Sequence, residues 1–105
     1  MRTPWGESES VKNIGRGVLF VSTPSHGGYK VPESELAKMP APALKTFAGY
    51  GWYEEDCDWC LVALSFPDLF EEDAIAGAVK TCEGWMSAET CQAFGLKQSA
   101  RNTKK

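Results

Sequence analysis

The chain has 105 residues, a net charge of −3, and 43% apolar and 24% charged residues. This is one domain's worth of sequence, with material for a single core and little for a second. So mild an acidity argues against a protein that neutralises many phosphates, and equally against a densely acidic nucleic-acid mimic.

Met1 to Glu9 is polar apart from Trp5, and Thr3-Pro4-Trp5-Gly6 reads as a turn carrying an aromatic plug. Val11 to Ile14 predicts a short strand, with Gly15-Arg16-Gly17 as the turn after it. Val18 to Ser22 is a run of bulky and β-branched residues with the length of a buried strand. Thr23 to Gly28 breaks that run. Tyr29 to Val31 then alternates as a partner strand, and Pro32 ends it. The product is a small antiparallel hairpin or sheet over about residues 11–31.

Pro32 and Pro40 bracket a short helix from Ser34 to Met39, and Pro42 and Gly49 bracket another from Ala43 to Ala48. Leu36, Met39, Leu44 and Phe47 are their packing residues. Tyr53 to Phe66 predicts the central buried helix. At about 100° per residue, Trp52, Asp56, Trp59, Cys60 and Ala63 share one arc, while Glu54, Asp58 and Ser65 face the opposite way. Leu61, Val62 and Leu64 widen the apolar surface, and Glu54, Glu55 and Asp56 fall in the first turn, where the helix dipole favours carboxylates.

Pro67 closes that helix, and Asp68 with Glu71 resembles a capping box for the next one, over Phe70 to Gly84. Its apolar arc is Ala74, Ile75, Ala78, Val79 and Cys82. Ser87 caps a last short helix ending at Phe94, with Gly95 as its stop. The fold class is therefore α+β, a small sheet packed on a helical layer. Residues 1–96 form the single domain, and Lys97 to Lys105 a basic, flexible tail.

Asp56 breaks the apolar arc of the central helix. A buried carboxylate must be paired or richly hydrogen-bonded, or it costs several kcal/mol. The one histidine, His26, lies in a Gly-rich turn whose backbone N–H groups could cradle an anion. Ser25, His26, Gly27 and Gly28, with Trp52, Tyr53 and Glu54, are thus the candidate binding residues. His26, Glu55 and Asp56 are the candidates for acid–base chemistry, the imidazole as acid or base and a carboxylate orienting it. The simpler role for the same residues is a clasp that locks the turn onto the helix. No nucleophile elbow, phosphate-binding loop or paired-His metal motif is present.

Cys57-Asp58-Trp59-Cys60 has CxxC spacing, and Cys82 and Cys91 could complete four thiolates around zinc. A bulky tryptophan inside the CxxC and the wide second spacing favour free thiols, with no cofactor and no metal. No segment reads as a signal peptide, and no apolar run approaches the ~20 residues of a membrane span. A cytoplasmic setting follows, in which thiols outlast disulfides.

Thr3-Pro4-Trp5-Gly6, then Ser22-Thr23-Pro24-Ser25-His26-Gly27-Gly28, then Gly51-Trp52-Tyr53-Glu54-Glu55-Asp56 resemble a family of small uncharacterised domains carried by phages, plasmids and other mobile elements of bacteria. The likeness spans about residues 3–70 and implies a bacterial intracellular setting. Small mobile-element proteins often block a host machine, defence systems such as CRISPR or restriction included. The expected function is a non-enzymatic binding or inhibitor protein acting on a host or defence complex through protein contact. Trp5, Tyr29, Tyr50 and Tyr53 are its expected anchors, since aromatic residues dominate interface hot spots. The alternative is a small enzyme or sensor that holds an anionic molecule with His26 and the acidic cluster.

Overall fold

The computed structural model describes residues 1–46 and 48–98 and shows an α+β architecture, a four-stranded antiparallel sheet and a two-stranded hairpin backed by helices. The chain enters through the miniature hairpin, Arg2–Thr3 (β1) against Gly6–Glu7 (β2). Thr3 closes it, its hydroxyl donating to the Gly6 carbonyl at 2.7 Å and accepting from the Trp5 amide at 3.1 Å. Trp5 is left at the tip, the aromatic plug that the TPWG turn predicts.

Ser10–Gly15 (β3), Val18–Ser22 (β4) and Gly27–Lys30 (β5) form a meander, and Trp52–Glu54 (β6) adds to the far side of β5. The registers Phe20↔Tyr29↔Tyr53 and Val21↔Gly28↔Glu54 run across three strands. Alternation then assigns the two faces. Phe20, Tyr29 and Tyr53 look toward the helices, where the Tyr29 ring sits 5.0 Å from Phe20 and 5.6 Å from Phe70. Trp52 and Glu54 look the other way, toward Trp5.

Gly28 decides how closely that second face can be covered. A Cβ there would meet the Tyr53 carbonyl oxygen and lie 2.5 Å from the Trp5 ring. Only glycine lets β6 and Trp5 approach β5 together. The Trp5 ring then meets Trp52 edge-on at 5.8 Å, and the Lys30 ammonium lies 5.6 Å from the Trp52 ring on the same face.

The expected helix from Tyr53 to Phe66 divides into three pieces. Trp52–Glu54 is strand, a turn follows, and only Trp59–Ser65 (α2) is helical. The open edge of β5 captures the Trp-Tyr-Glu segment, whose aromatic alternation suits a pleated sheet as well as its periodicity suits a helix. Gly49 and Gly51, both at positive φ, turn the chain into that strand. What remains of the helix is central: Cys60, Leu61, Val62 and Ala63 are all buried. Asp58, expected on the polar side, is 4% exposed at the start of α2, whereas Asp56 lies exposed in the turn. The sequence pattern thus points to a buried carboxylate in the correct segment and misplaces it by two residues.

The other helices are Glu33–Leu36 (α1), Glu72–Trp85 (α3) and Ala88–Ala93 (α4), with 3-10 turns at Ala41–Leu44 and Pro67–Leu69. Leu36 and Met39 are buried as expected and Leu44 packs on the core, while Phe47 lies outside the described residues. Ser87 caps α4 by accepting from the Thr90 amide at 3.1 Å, and Gly95 ends it at φ +74°. The expected Asp68–Glu71 capping box is absent. Glu71 precedes α3 without a side-chain cap, and Asp68 points elsewhere.

Asp68 reaches the tip of the β3–β4 turn. There Arg16, at φ +52°, donates to Asp68 at 2.7 Å and to Glu35 at 3.0 Å, and its guanidinium covers the Phe66 ring at 5.6 Å. Glu35 is 5% exposed, and Lys38 adds a second cation to it at 3.0 Å. Two cations make that near-buried carboxylate tolerable, as an unpaired charge would not be. The network ties the sheet's turn to α1 and to the Pro67–Leu69 turn. Lys38 and Arg16 hold the Glu35 carboxyl below its ordinary value, and Arg16 does the same for Asp68.

Gly28→Ala is expected to destabilise the fold by about 2 kcal/mol or more through overpacking, read as a lower denaturant midpoint with an unchanged slope. A second expectation concerns acid. Carboxyls held low in the folded state contribute stability that is complete above their unfolded values and lost as pH falls through their folded ones. Stability should therefore decline below about pH 4.5, and Glu35→Gln or Asp68→Asn should flatten that decline in urea titrations across pH 3–6.

Candidate functional site

His26 closes the β4–β5 connection, and the local chemistry fixes its backbone. The Thr23 hydroxyl donates to the His26 carbonyl at 2.7 Å and accepts from the His26 amide at 3.0 Å. The Thr23 amide also donates to that carbonyl at 2.7 Å. The imidazole itself is 47% exposed, with Nδ1 3.9 Å from Glu54 Oε2. Glu54 stands at the end of β6, on the face shared with Trp5, and the next turn brings Asp56 alongside. One donor atom each from His26, Glu54 and Asp56 lies within 4.8 Å of the others. Among the described residues this is the one group of three or more His, Cys, Asp or Glu side chains so arranged.

The corner differs from the anion cradle read from the sequence. Gly27 and Gly28 are strand residues of β5, flanked by β4 and β6, and the Gly27 carbonyl accepts from the Glu55 amide at 3.0 Å. Ser25 is exposed at the tip. The Glu55 carboxylate folds over Gly27, where a Cβ would lie 3.1 Å from its Oε1. His26 therefore meets Glu54 and Asp56, with Glu55 on the neighbouring backbone. Tyr53 is wholly buried on the opposite face, its hydroxyl donating to the Ala43 carbonyl at 2.8 Å, and burial pushes that phenol's pKa well up. A shallow cleft of about 400 Å³ between Pro4, Trp5, Ala48 and Glu54 opens beside the corner.

The aromatic anchors sort differently from expectation. Tyr53 is buried, Trp5 and Tyr29 are half-buried in ring contacts, and Tyr50 stays exposed with its hydroxyl 3.2 Å from Glu33. Among the described residues the most exposed aromatic is Trp85, 68% accessible at the end of α3. It borders an open groove of about 280 Å³ shared with Lys45, Thr46, Cys57 and Met86. The sequence carried no signal for it: at about 100° per residue Trp85 falls on the same arc as Ala74, Ile75, Ala78, Val79 and Cys82, and periodicity alone would bury it.

Cys60, Cys82 and Cys91 are buried in a row between α2, α3 and α4, whereas Cys57 is half-exposed in the turn before α2. The CxxC spacing thus straddles a turn and a helix. The Cys82 and Cys91 sulfurs are 4.0 Å apart. Thiol donation from Cys60 draws Cys82 down to about 7, whereas burial and the neighbouring Cys82 push Cys91 up to about 11.

The whole chain, residues 1–105, matches the profile of a family described as a domain of unknown function, DUF7007. The chain belongs to that family. No curated protein and no solved structure matches this DUF7007 chain. No helix among the described residues of the DUF7007 fold is long and apolar enough to cross a membrane.

Access should decide thiol chemistry here. A disulfide reagent added to the native DUF7007 domain is expected to modify one thiol rapidly, at Cys57, and all four only after denaturation. Cys57→Ser should remove the fast phase, as counted by absorbance and intact mass.

Proposed function

We propose that this DUF7007 domain is a non-enzymatic binding protein that acts by seating on a protein partner. The observation that carries the reading is Trp85, a large indole left exposed beside an open groove. Tryptophan is among the residues most enriched at interface hot spots, where one side chain can supply much of the affinity. The mild net charge of −3 favours a protein partner over a polyanion.

The likeness of the TPWG, STPSHGG and GWYEED segments to small phage and plasmid domains supports a finer version. In it the protein works in the bacterial cytoplasm on behalf of a mobile element and inhibits a host or defence complex. An enzyme or a sensor for an anionic molecule at His26 has less support. Two carboxylates crowd the imidazole, and the glycine backbone expected to hold the anion is engaged in the sheet.

The test is a photo-crosslinking residue at position 85, used in bacterial lysate, followed by affinity measurement on the captured partner. Trp85→Ala should weaken binding at least about 30-fold, the ~2 kcal/mol of a hot spot, with its denaturant midpoint unchanged. Equal affinity in the variant would remove Trp85 from the interface. A captured complex whose activity is unaffected by saturating protein would remove the inhibitor role.

A further inference from the structure

We propose that His26, Glu54 and Asp56 form a binding site for a divalent transition-metal ion. The proposal is independent of the partner-binding reading and of the groove at Trp85. It starts from the donor set, one imidazole nitrogen and two carboxylates, a combination suited to Mn²⁺, Fe²⁺ or Zn²⁺ and less to Ca²⁺ or Mg²⁺, which take oxygen ligands alone.

The geometry is near what an ion requires. Three ligands at about 2.1 Å from one metal stand about 3.0–3.6 Å from one another, and His26 Nδ1 and Glu54 Oε2 are already within 3.9 Å. All three donors fall within 4.8 Å. Two of the three side chains, His26 and Asp56, are exposed at turns and can close the remaining distance, up to about 2 Å, by rotamer adjustment.

The supports are stiffer than the tips. His26 is held by three hydrogen bonds with Thr23. Glu54 is paired in register with Gly28, and the Glu55 amide is bonded to the Gly27 carbonyl, which fixes the turn that presents Asp56. Two separate stretches of chain thus bring their donors to one corner of the sheet.

The local charge also calls for a cation. Among the described residues no lysine or arginine forms an ion pair with Glu54 or Asp56, and the imidazole is the nearest basic group to Glu54. Three protein ligands on an exposed corner leave positions for water or for a ligand brought by another molecule.

The experiment is a titration of the whole chain with Mn²⁺, which discriminates against the thiols. It is read by paramagnetic broadening of amide signals and by calorimetry, in parallel with His26→Ala, Glu54→Gln and an excess of Mg²⁺. Saturable one-to-one binding that broadens the His26 and Glu54–Asp56 amides first, and weakens at least about tenfold in each variant, is the expected result. Because His26 lies exposed at a turn, its variant should keep the wild-type spectrum elsewhere. The proposal is overturned by an absence of saturation at millimolar Mn²⁺. It is equally overturned by unchanged affinity in His26→Ala, or by equal competition from Mg²⁺, either of which would reduce the corner to a diffuse acidic surface.

Discussion

The bare backbone at Gly28 is the constraint on which the arrangement depends. β5 is paired on one side with β4 and on the other with β6, and its second face is sealed by the Trp5 ring where a side chain would otherwise stand. Remove that space and three things separate: the short strand Trp52–Glu54, the N-terminal hairpin, and the corner where Glu54 meets His26. The absent side chain does here what a hydrophobic contact does elsewhere, because it sets the distance at which other groups pack.

A second tie joins the opposite end of the sheet to the helices. Arg16 occupies a left-handed backbone position between two glycines, a conformation that costs a non-glycine residue energy. Its guanidinium meets two carboxylates and a phenyl ring. That multivalent engagement accounts for an arginine at a position where glycine would be easier.

Local chemistry made much of the fold legible. The β-branched run from Val18 to Ser22 is strand residue for residue, and the Ser87 cap and Gly95 stop bracket α4. The failure at Tyr53 to Phe66 is instructive, because Trp52, Asp56 and Trp59 satisfy a helical arc by coincidence. What decides the issue is a vacant strand edge more than twenty residues upstream, which no periodicity within the segment encodes. The Arg16 contacts span 19 and 52 residues of chain and were equally invisible. For the site, the sequence sets His26 against the acidic segment through Asp56, which breaks a predicted apolar arc, and through the Gly-rich turn that holds the one histidine. The structure brings His26 to Glu54 and Asp56. Which carboxylates meet it was not readable, since that follows from the strand register: Glu54 ends β6 beside the imidazole, and Asp56 arrives with the turn.

The late arrival of β6 has a kinetic meaning. β3, β4 and β5 are joined by short connections and can zip as neighbours, whereas Glu54 must return across α1 and the Ala41–Leu44 turn before it reaches Gly28. Contacts of such sequence separation form slowly, after loop entropy has been overcome. The His26 corner therefore depends on the pairing of greatest sequence separation in the sheet. The corner requires β6 to be paired with β5, so whatever binds there favours the closed edge of the sheet.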